Sequence, residues 1–151
     1  MPGPGGPGGP EQGPPQQAQW TAVINADWDY FQAVLARSGP EAQGLFFPPY
    51  CPERRIPLTG RQVRIGRYSA SRGERPEIDL AEAPADPGVS HVHATLVLQA
   101  DGSWAVVDLE STNGTTINGA VESLPSHQPF PLRPGDRVHV GAWTTITLHR
   151  G

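Results

Sequence analysis

The sequence predicts an all-β protein, an antiparallel β-sandwich preceded by a short N-terminal extension that contains a helix. Three observations lead there. From residue 53 onward, short runs of β-branched and aliphatic residues alternate with Gly, Asn, Asp and Pro turn signals every several positions. One stretch, residues 26–37, carries the three- and four-residue apolar spacing of a helix. No strand–helix–strand alternation follows it, which sets aside the parallel sheets of dinucleotide-binding and P-loop enzymes.

The elements can be justified in order. Residues 1–19 are rich in Pro, Gly and Gln and have almost no apolar surface to offset the entropy of ordering, so a disordered tail is expected. Residues 20–24 read as a strand ended by Asn25. The helix over 26–37 places Trp28, Phe31, Val34 and Leu35 on one face, with Asn25 or Asp27 as its cap and Ser38-Gly39-Pro40 as its stop. Residues 45–50 are aromatic and broken by Pro48-Pro49, which suits a sandwich edge better than a central strand. Residues 20–52 are therefore expected to form a β-α extension that packs on the domain that follows.

Residues 54–58 form the next strand, and Thr59-Gly60 turns the chain into 62–66. Residues 68–89 are polar and contain Pro around a candidate short strand at 77–80; a loop of this length in a compact domain usually carries function. Residues 93–98 and 103–109 make a hairpin about Asp101-Gly102. Then come 115–117, a hairpin turn at Asn118-Gly119, 130–132, a turn at Pro134-Gly135-Asp136, and strands at 137–140 and 144–148.

Composition bounds the function. The 151 residues suffice for one domain with a small extension. The 15 acidic residues outnumber the 11 basic ones, every one of which is Arg, for a net charge of -4. That balance argues against a general nucleic-acid or membrane-surface binder. The absence of Lys beside abundant Ala, Arg, Gly and Pro points to a GC-rich bacterial genome. Cys51 is the single cysteine, so no intramolecular disulfide or zinc-finger spacing is available. No signal peptide is evident and no apolar run nears the ~20 residues of a membrane span, so the chain reads as cytoplasmic, monomeric and without membrane insertion.

Four short pieces carry the chemistry: Gly66-Arg67, Ser90-His91-Val92-His93, Ser111-Thr112-Asn113-Gly114-Thr115 and Asn118-Gly119. Each sits where a predicted strand meets a turn. Together they supply a guanidinium, two hydroxyls and a side-chain amide, a set suited to a phosphate and an extended peptide. Ordered this way within strand-type sequence, they resemble the forkhead-associated domain, a phosphothreonine-peptide-binding sandwich. The resemblance covers roughly residues 53–150, and the domain is placed at 53–151.

The resemblance implies that Arg67, Ser90 and Thr112 bind phosphate and that Asn113 bonds the ligand main chain. His91 stands where the family often places Asn or Arg facing the peptide, and Arg72 on the long loop is a further candidate contact. Gly66, His93, Gly114, Asn118 and Gly119 are assigned to support: His93 as the histidine that holds the binding loops, Gly114 for positive φ, and Asn118-Gly119 as a turn shaping the sandwich edge. His91 and His93 put two imidazoles on one strand face, but no third ligand is in the pattern, so neither metal nor cofactor is assigned. There is no nucleophile elbow, Gly-rich phosphate loop or base with an orienting partner, so no enzyme is expected. The expected function is phosphothreonine-dependent protein binding beside Ser/Thr kinases, the partner being a kinase or its substrate. The alternative is phosphate-independent assembly through the same sandwich surface.

Overall fold

The structure, a computed structural model, describes residues 19–42, 44–73 and 75–151. Apart from Gln19, the tail expected over residues 1–19 lies outside the described residues. Ten strands and a helix follow in chain order. They are β1 (Trp20–Ala26), α1 (Trp28–Ser38), β2 (Arg54–Pro57), β3 (Gln62–Gly66), β4 (Ile78–Asp79) and β5 (Val92–Leu98). Then come β6 (Trp104–Asp108), β7 (Thr115–Ile117), β8 (Phe130–Pro131), β9 (Arg137–Val140) and β10 (Thr144–Arg150).

The strands form two five-stranded sheets, ordered β2-β1-β10-β9-β7 and β4-β3-β5-β6-β8. Pairing is antiparallel except between β3 and β4. Ile24, Ile65, Leu96, Val106, Val138, Ile146 and Leu148 meet between the sheets and are each 3% exposed or less. Burying one such side chain stabilises by about 1.5–3 kcal/mol. The period of two explains the pattern: Val138 and Val140 point into this core while His139, between them, points to the opposite face.

That opposite face is covered by α1. Asp27 caps the helix, its carboxylate accepting from Tyr30 N at 3.1 Å, and Gly39 at φ 63 with Pro40 ends it. The ring of Tyr30 stacks on His139 at 4.8 Å and its hydroxyl donates to Gly141 O at 2.9 Å. Burial pushes that hydroxyl's pKa up to about 12. Phe31 packs against Phe47 and Trp143. The spacing of residues 26–37 put Trp28 on this buried face. It is instead 55% exposed, lying edge-on to Phe47, and Tyr30 takes the inner position. The polar tip of Tyr30 finds a carbonyl there, which an indole at position 28 does not need to do.

Residues 20–52 are divided between a sheet strand and segments packed on the sheet. β1 pairs with β10 along its whole length, from Trp20 opposite Arg150 to Ala26 opposite Thr144, and with β2 on its other side. It is thus an interior strand of its sheet, while α1 and residues 45–47 lie outside the sheets.

The Asn118-Gly119 pair makes a turn, both residues at positive φ and Ala120 N donating to Ile117 O. It is not the expected hairpin. β7 pairs with β9 in one sheet and β8 with β6 in the other, so the turn opens a crossover between sheets. The reason lies in its partners, which come from β9 and the residue before it: Asn118 Nδ2 donates to Asp136 Oδ1, Arg137 N to Asn118 Oδ1 and Gly119 N to His139 Nε2, at 2.9–3.1 Å.

The β9–β10 turn is tied to the long loop by Asp86, which is 1% exposed. Its carboxylate accepts from Gly88 N, Ala142 N, Trp143 N and the Thr144 hydroxyl. Gly141 has φ 67, and a Cβ there would lie 2.6 Å from Asp86 Oδ2, so the approach requires glycine. Replacing Asp86 by Ala strands four donors in a dry site. Asp86→Ala should lower stability by about 3 kcal/mol or more. Chemical denaturation measures this, and a loss below about 1 kcal/mol contradicts the role given to the carboxylate.

Candidate functional site

Three loops meet at one end of the sandwich: β3–β4, β4–β5 and β6–β7. Each is shaped by a buried aspartate that accepts from the amide two residues on, the local turn this side chain favours. Asp79 accepts from Ala81 N, Tyr68 N and Arg75 Nη1. Asp86 accepts from Gly88 N, as described. Asp108 accepts from Glu110 N and Ser111 N and from the hydroxyls of Ser111, Thr115 and Ser126. Burial pushes the Asp79 and Asp108 carboxyls up, but these donors outweigh it and hold both below the ordinary carboxylate range.

His93 joins the second loop to the third. Its Nδ1 accepts from Ser90 N at 3.0 Å and its Nε2 lies 3.0 Å from Gly114 O. An N–H must face the carbonyl and a lone pair the amide, so the ring is neutral with its proton on Nε2. Burial holds its pKa below the usual histidine value. With both nitrogens engaged, His93 offers no metal a lone pair. Among the described residues no three His, Cys, Asp or Glu side chains gather as a metal site.

The loops meet around Ser90. Thr112 N donates to Ser90 Oγ at 3.0 Å, which leaves the serine proton to be donated outward. The exposed Thr112 hydroxyl has no partner among the described residues. Asn113 Nδ2 donates to Gly88 O at 2.8 Å, leaving its carbonyl oxygen to accept from a ligand amide. Arg67 approaches from the first loop, its N donating to His91 O at 3.2 Å and its Nη1 to Val89 O at 3.4 Å, beside Ser90. Its Nε is buried without a partner among the described residues. His91 is exposed, and its Nδ1 lies 3.2 Å from Arg67 O.

Gly66 makes this close pass possible. A Cβ there would lie 2.1 Å from His91 O, a contact with main chain that cannot be relieved by a rotamer change. Gly114, at φ 84, serves the turn after Asn113. Arg67, Ser90, Thr112 and Asn113 are thus brought to one place, with His91 beside them and Gly66, His93 and Gly114 beneath. Asn118 and Gly119 contact β9 and the residue before it, and none of these four residues.

The charge around the site is selective. Arg64 pairs with Glu77 at 3.0 Å, and that guanidinium's hydrogen bonds bring the Glu77 carboxyl down to about 2. Arg75 pairs with Asp79 at 2.6 Å. Arg67 and Arg72 have no ion-pair partner among the described residues. Both line a groove of about 510 Å³ on the Arg67 side of Ser90. A smaller recess of about 220 Å³ lies on the Asn113 side, walled by Val34, Arg37 and Leu45 from the N-terminal segment and by Pro87 and Ala142. Sequence reasoning missed the three aspartates and this helix-built wall. The first had a signal, the Asp-x-X turn pattern at 79, 86 and 108; the second had none.

Against known proteins, residues 63–141 match the model of the FHA domain. The chain belongs to the FHA family. It is 31% identical over 109 residues to the E3 ubiquitin-protein ligase DMA2 of Saccharomyces cerevisiae, a match covering 66% of this chain and 20% of the ligase. It is 33% identical over 95 residues to the oxoglutarate dehydrogenase inhibitor of Corynebacterium diphtheriae, covering 63% of this chain and 61% of the inhibitor. The chain therefore spans about a fifth of one relative and under two thirds of the other. A structure solved in a study of phosphothreonine-dependent FHA domain interactions superposes with a TM-score of 0.50 at 22% identity, covering 85% of this chain and 95% of that one. The shared fold is that of the FHA domain, and FHA domains are generally binding modules without catalysis.

Two outcomes test the site's architecture. Gly66→Ala should cost about 1–3 kcal/mol and shift the backbone resonances of Arg67 and His91, because the new methyl has to push two strands apart. Unchanged spectra contradict the close approach. The second concerns pH. Burial depresses the pKa of both His93 and His139, so between pH 7 and 5 the unfolded chain, titrating near ~6.5, takes up protons that the folded chain refuses. Their stabilising contribution is complete above ~6.5 and declines as pH falls through the folded values. Denaturation midpoints should drop from pH 7 to pH 5, and a flat profile contradicts the neutral rings.

Proposed function

We propose that the chain is a non-catalytic module that binds phosphothreonine-containing segments of proteins in Ser/Thr kinase signalling in the cytoplasm, the ligand being a kinase or its substrate. The observation that carries this reading is the meeting of Arg67, Ser90 and Thr112 around one point, where Arg64 and Arg75 are held by carboxylates and Arg67 is not. A phosphothreonine brings roughly -1.5 to -2 charge and three acceptor oxygens. Arg67 supplies a fixed positive fork, and Ser90 and Thr112 each supply a hydroxyl proton. Each charge-assisted bond contributes about 1.5–3 kcal/mol, so two or three of them suffice for micromolar affinity once ordering costs are subtracted.

Asn113 fixes direction. With its amide nitrogen held by Gly88 O, its carbonyl accepts from the ligand main chain and keeps the peptide extended across the loops. The coarser reading, protein binding, is also supported by the relative whose name makes it an inhibitor of another enzyme. A second reading, phosphate-independent assembly, is favoured by one observation: Trp28, Phe46 and Tyr50 are 55%, 78% and 77% exposed on the N-terminal segment.

The two readings separate in one titration with matched peptides bearing phosphothreonine, phosphoserine or threonine. Phosphothreonine should bind in the micromolar range and threonine at least 100-fold more weakly. Arg67→Ala and Ser90→Ala should each weaken phosphopeptide binding by ten- to a hundredfold. Binding that survives phosphatase treatment and Arg67→Ala would establish the assembly reading instead.

A further inference from the structure

The groove on the Arg67 side of Ser90 is more than twice the size of the recess beside Asn113, about 510 Å³ against 220 Å³. The two share no lining residue. Arg67 and His91 stand both in the groove wall and beside Ser90, so the groove adjoins the Ser90 site. Its interior is apolar. Val92, at the start of β5, is 47% exposed, and the partly exposed Pro76 and Leu109 line the same cavity. The arginine farthest from Ser90 along β3, Arg64, is held by Glu77, which leaves that part of the groove without an excess of charge. Arg72 stands on the rim without a carboxylate among the described residues.

We propose that this groove is a second reading pocket of the phosphopeptide site, taking one bulky apolar side chain from the flank of the ligand that leaves the phosphate on the Arg67 side. The inference rests on the phosphopeptide reading above and adds a selectivity that phosphate contacts cannot provide. Isolated apolar residues on a surface are ordinary; Val92, Pro76 and Leu109 lining one cavity that adjoins a charged site are not. The volume takes a Leu or Phe side chain, and burying it against Val92 and Leu109 removes apolar surface of both partners from water. The guanidiniums of Arg67 and Arg72 flank the entrance, so the chain that delivers this side chain stays within reach of the phosphate contacts. An apolar side chain on the opposite flank falls toward the smaller Asn113 recess, whose wall contains Arg37 and Ser38.

The test is a binding titration of the full chain with phosphothreonine peptides in an Ala/Ser host, a single Leu being moved through four positions on each side. The Val92→Ser and Val92→Trp variants, the first removing the apolar wall and the second filling the cavity, are run beside the wild type, with the unphosphorylated peptides as reference. In the wild type, Leu at one position on one flank should tighten binding about fivefold or more over Ala. Both variants should erase that increment while the ratio between phosphorylated and unphosphorylated host peptides stays the same. Any increment from Leu on the other flank should survive both variants. If phosphate dependence is strong but no Leu position matters, or the increment persists in both variants, the groove is not a reading pocket and the phosphopeptide function stands. If no peptide binds in a phosphate-dependent way, the parent reading falls and this one falls with it.

Discussion

His93 carries a constraint that everything at the ligand end inherits. One ring nitrogen takes the amide proton of Ser90 and the other gives a proton to Gly114 O, so two loops that are far apart in sequence are held at fixed separation by a single planar group. The residues that face outward are the neighbours of those two anchor points. Ser90 presents its hydroxyl, Thr112 N reaches back to it, and Asn113 closes onto Gly88. A charged ring would lose one of the two bonds, because an imidazolium has no acceptor. Burial keeps the ring neutral and so keeps the geometry intact. The outward-facing surface is thus preorganised from below, by a ring whose two nitrogens are both engaged within the protein.

A second layer of the same logic concerns charge. The region around Arg67 holds several arginines, and a site that binds phosphate needs some of them available and others silent. Glu77 and Asp79 silence Arg64 and Arg75, and Glu82 pairs with Arg54 at 2.8 Å. Such partly exposed pairs add little to stability. Their effect is to leave the uncompensated positive charge of this region at Arg67 and Arg72, among the described residues, in a chain whose net charge is -4. An acidic protein can therefore attract a phosphate locally while repelling polyanions at long range.

Much of this was legible in the residues because the signals were local. Strand and turn boundaries followed from Gly, Asn and Pro punctuation, as at Asp101-Gly102 and Thr59-Gly60, and the Gly66-Arg67, Ser90-x-x-His93 and Thr112-Asn113-Gly114 pieces sat at strand ends. What escaped was what depends on pairing across the chain. Asn118-Gly119 is an ordinary hairpin dipeptide, yet Asp136, Arg137 and His139 claim it and send the following residues to the other sheet. Trp28 fits the apolar stripe of its helix, but the rings of His139 on the facing sheet and Trp143 in the β9–β10 turn select Tyr30 and Phe31. The membership of residues 20–26 in a sheet was invisible for the same reason, since its partner lies more than a hundred positions away.

That distant pairing sets the order in which the molecule can assemble. β10 follows all the other described strands in sequence, yet it lies between β1 and β9. Closing a loop that spans nearly the whole chain is entropically costly and slow, so the sheet containing β1 is expected to form late. The segment that leads into β10 also delivers Ala142, Trp143 and Thr144 to the carboxylate of Asp86, and through it sets the position of Gly88 and the loop that ends in Ser90. A nascent or truncated chain lacking its final residues would hold most of the ligand-facing side chains and still be unable to bring them into register. The loops around Ser90 thereby take their arrangement only once β10 has paired.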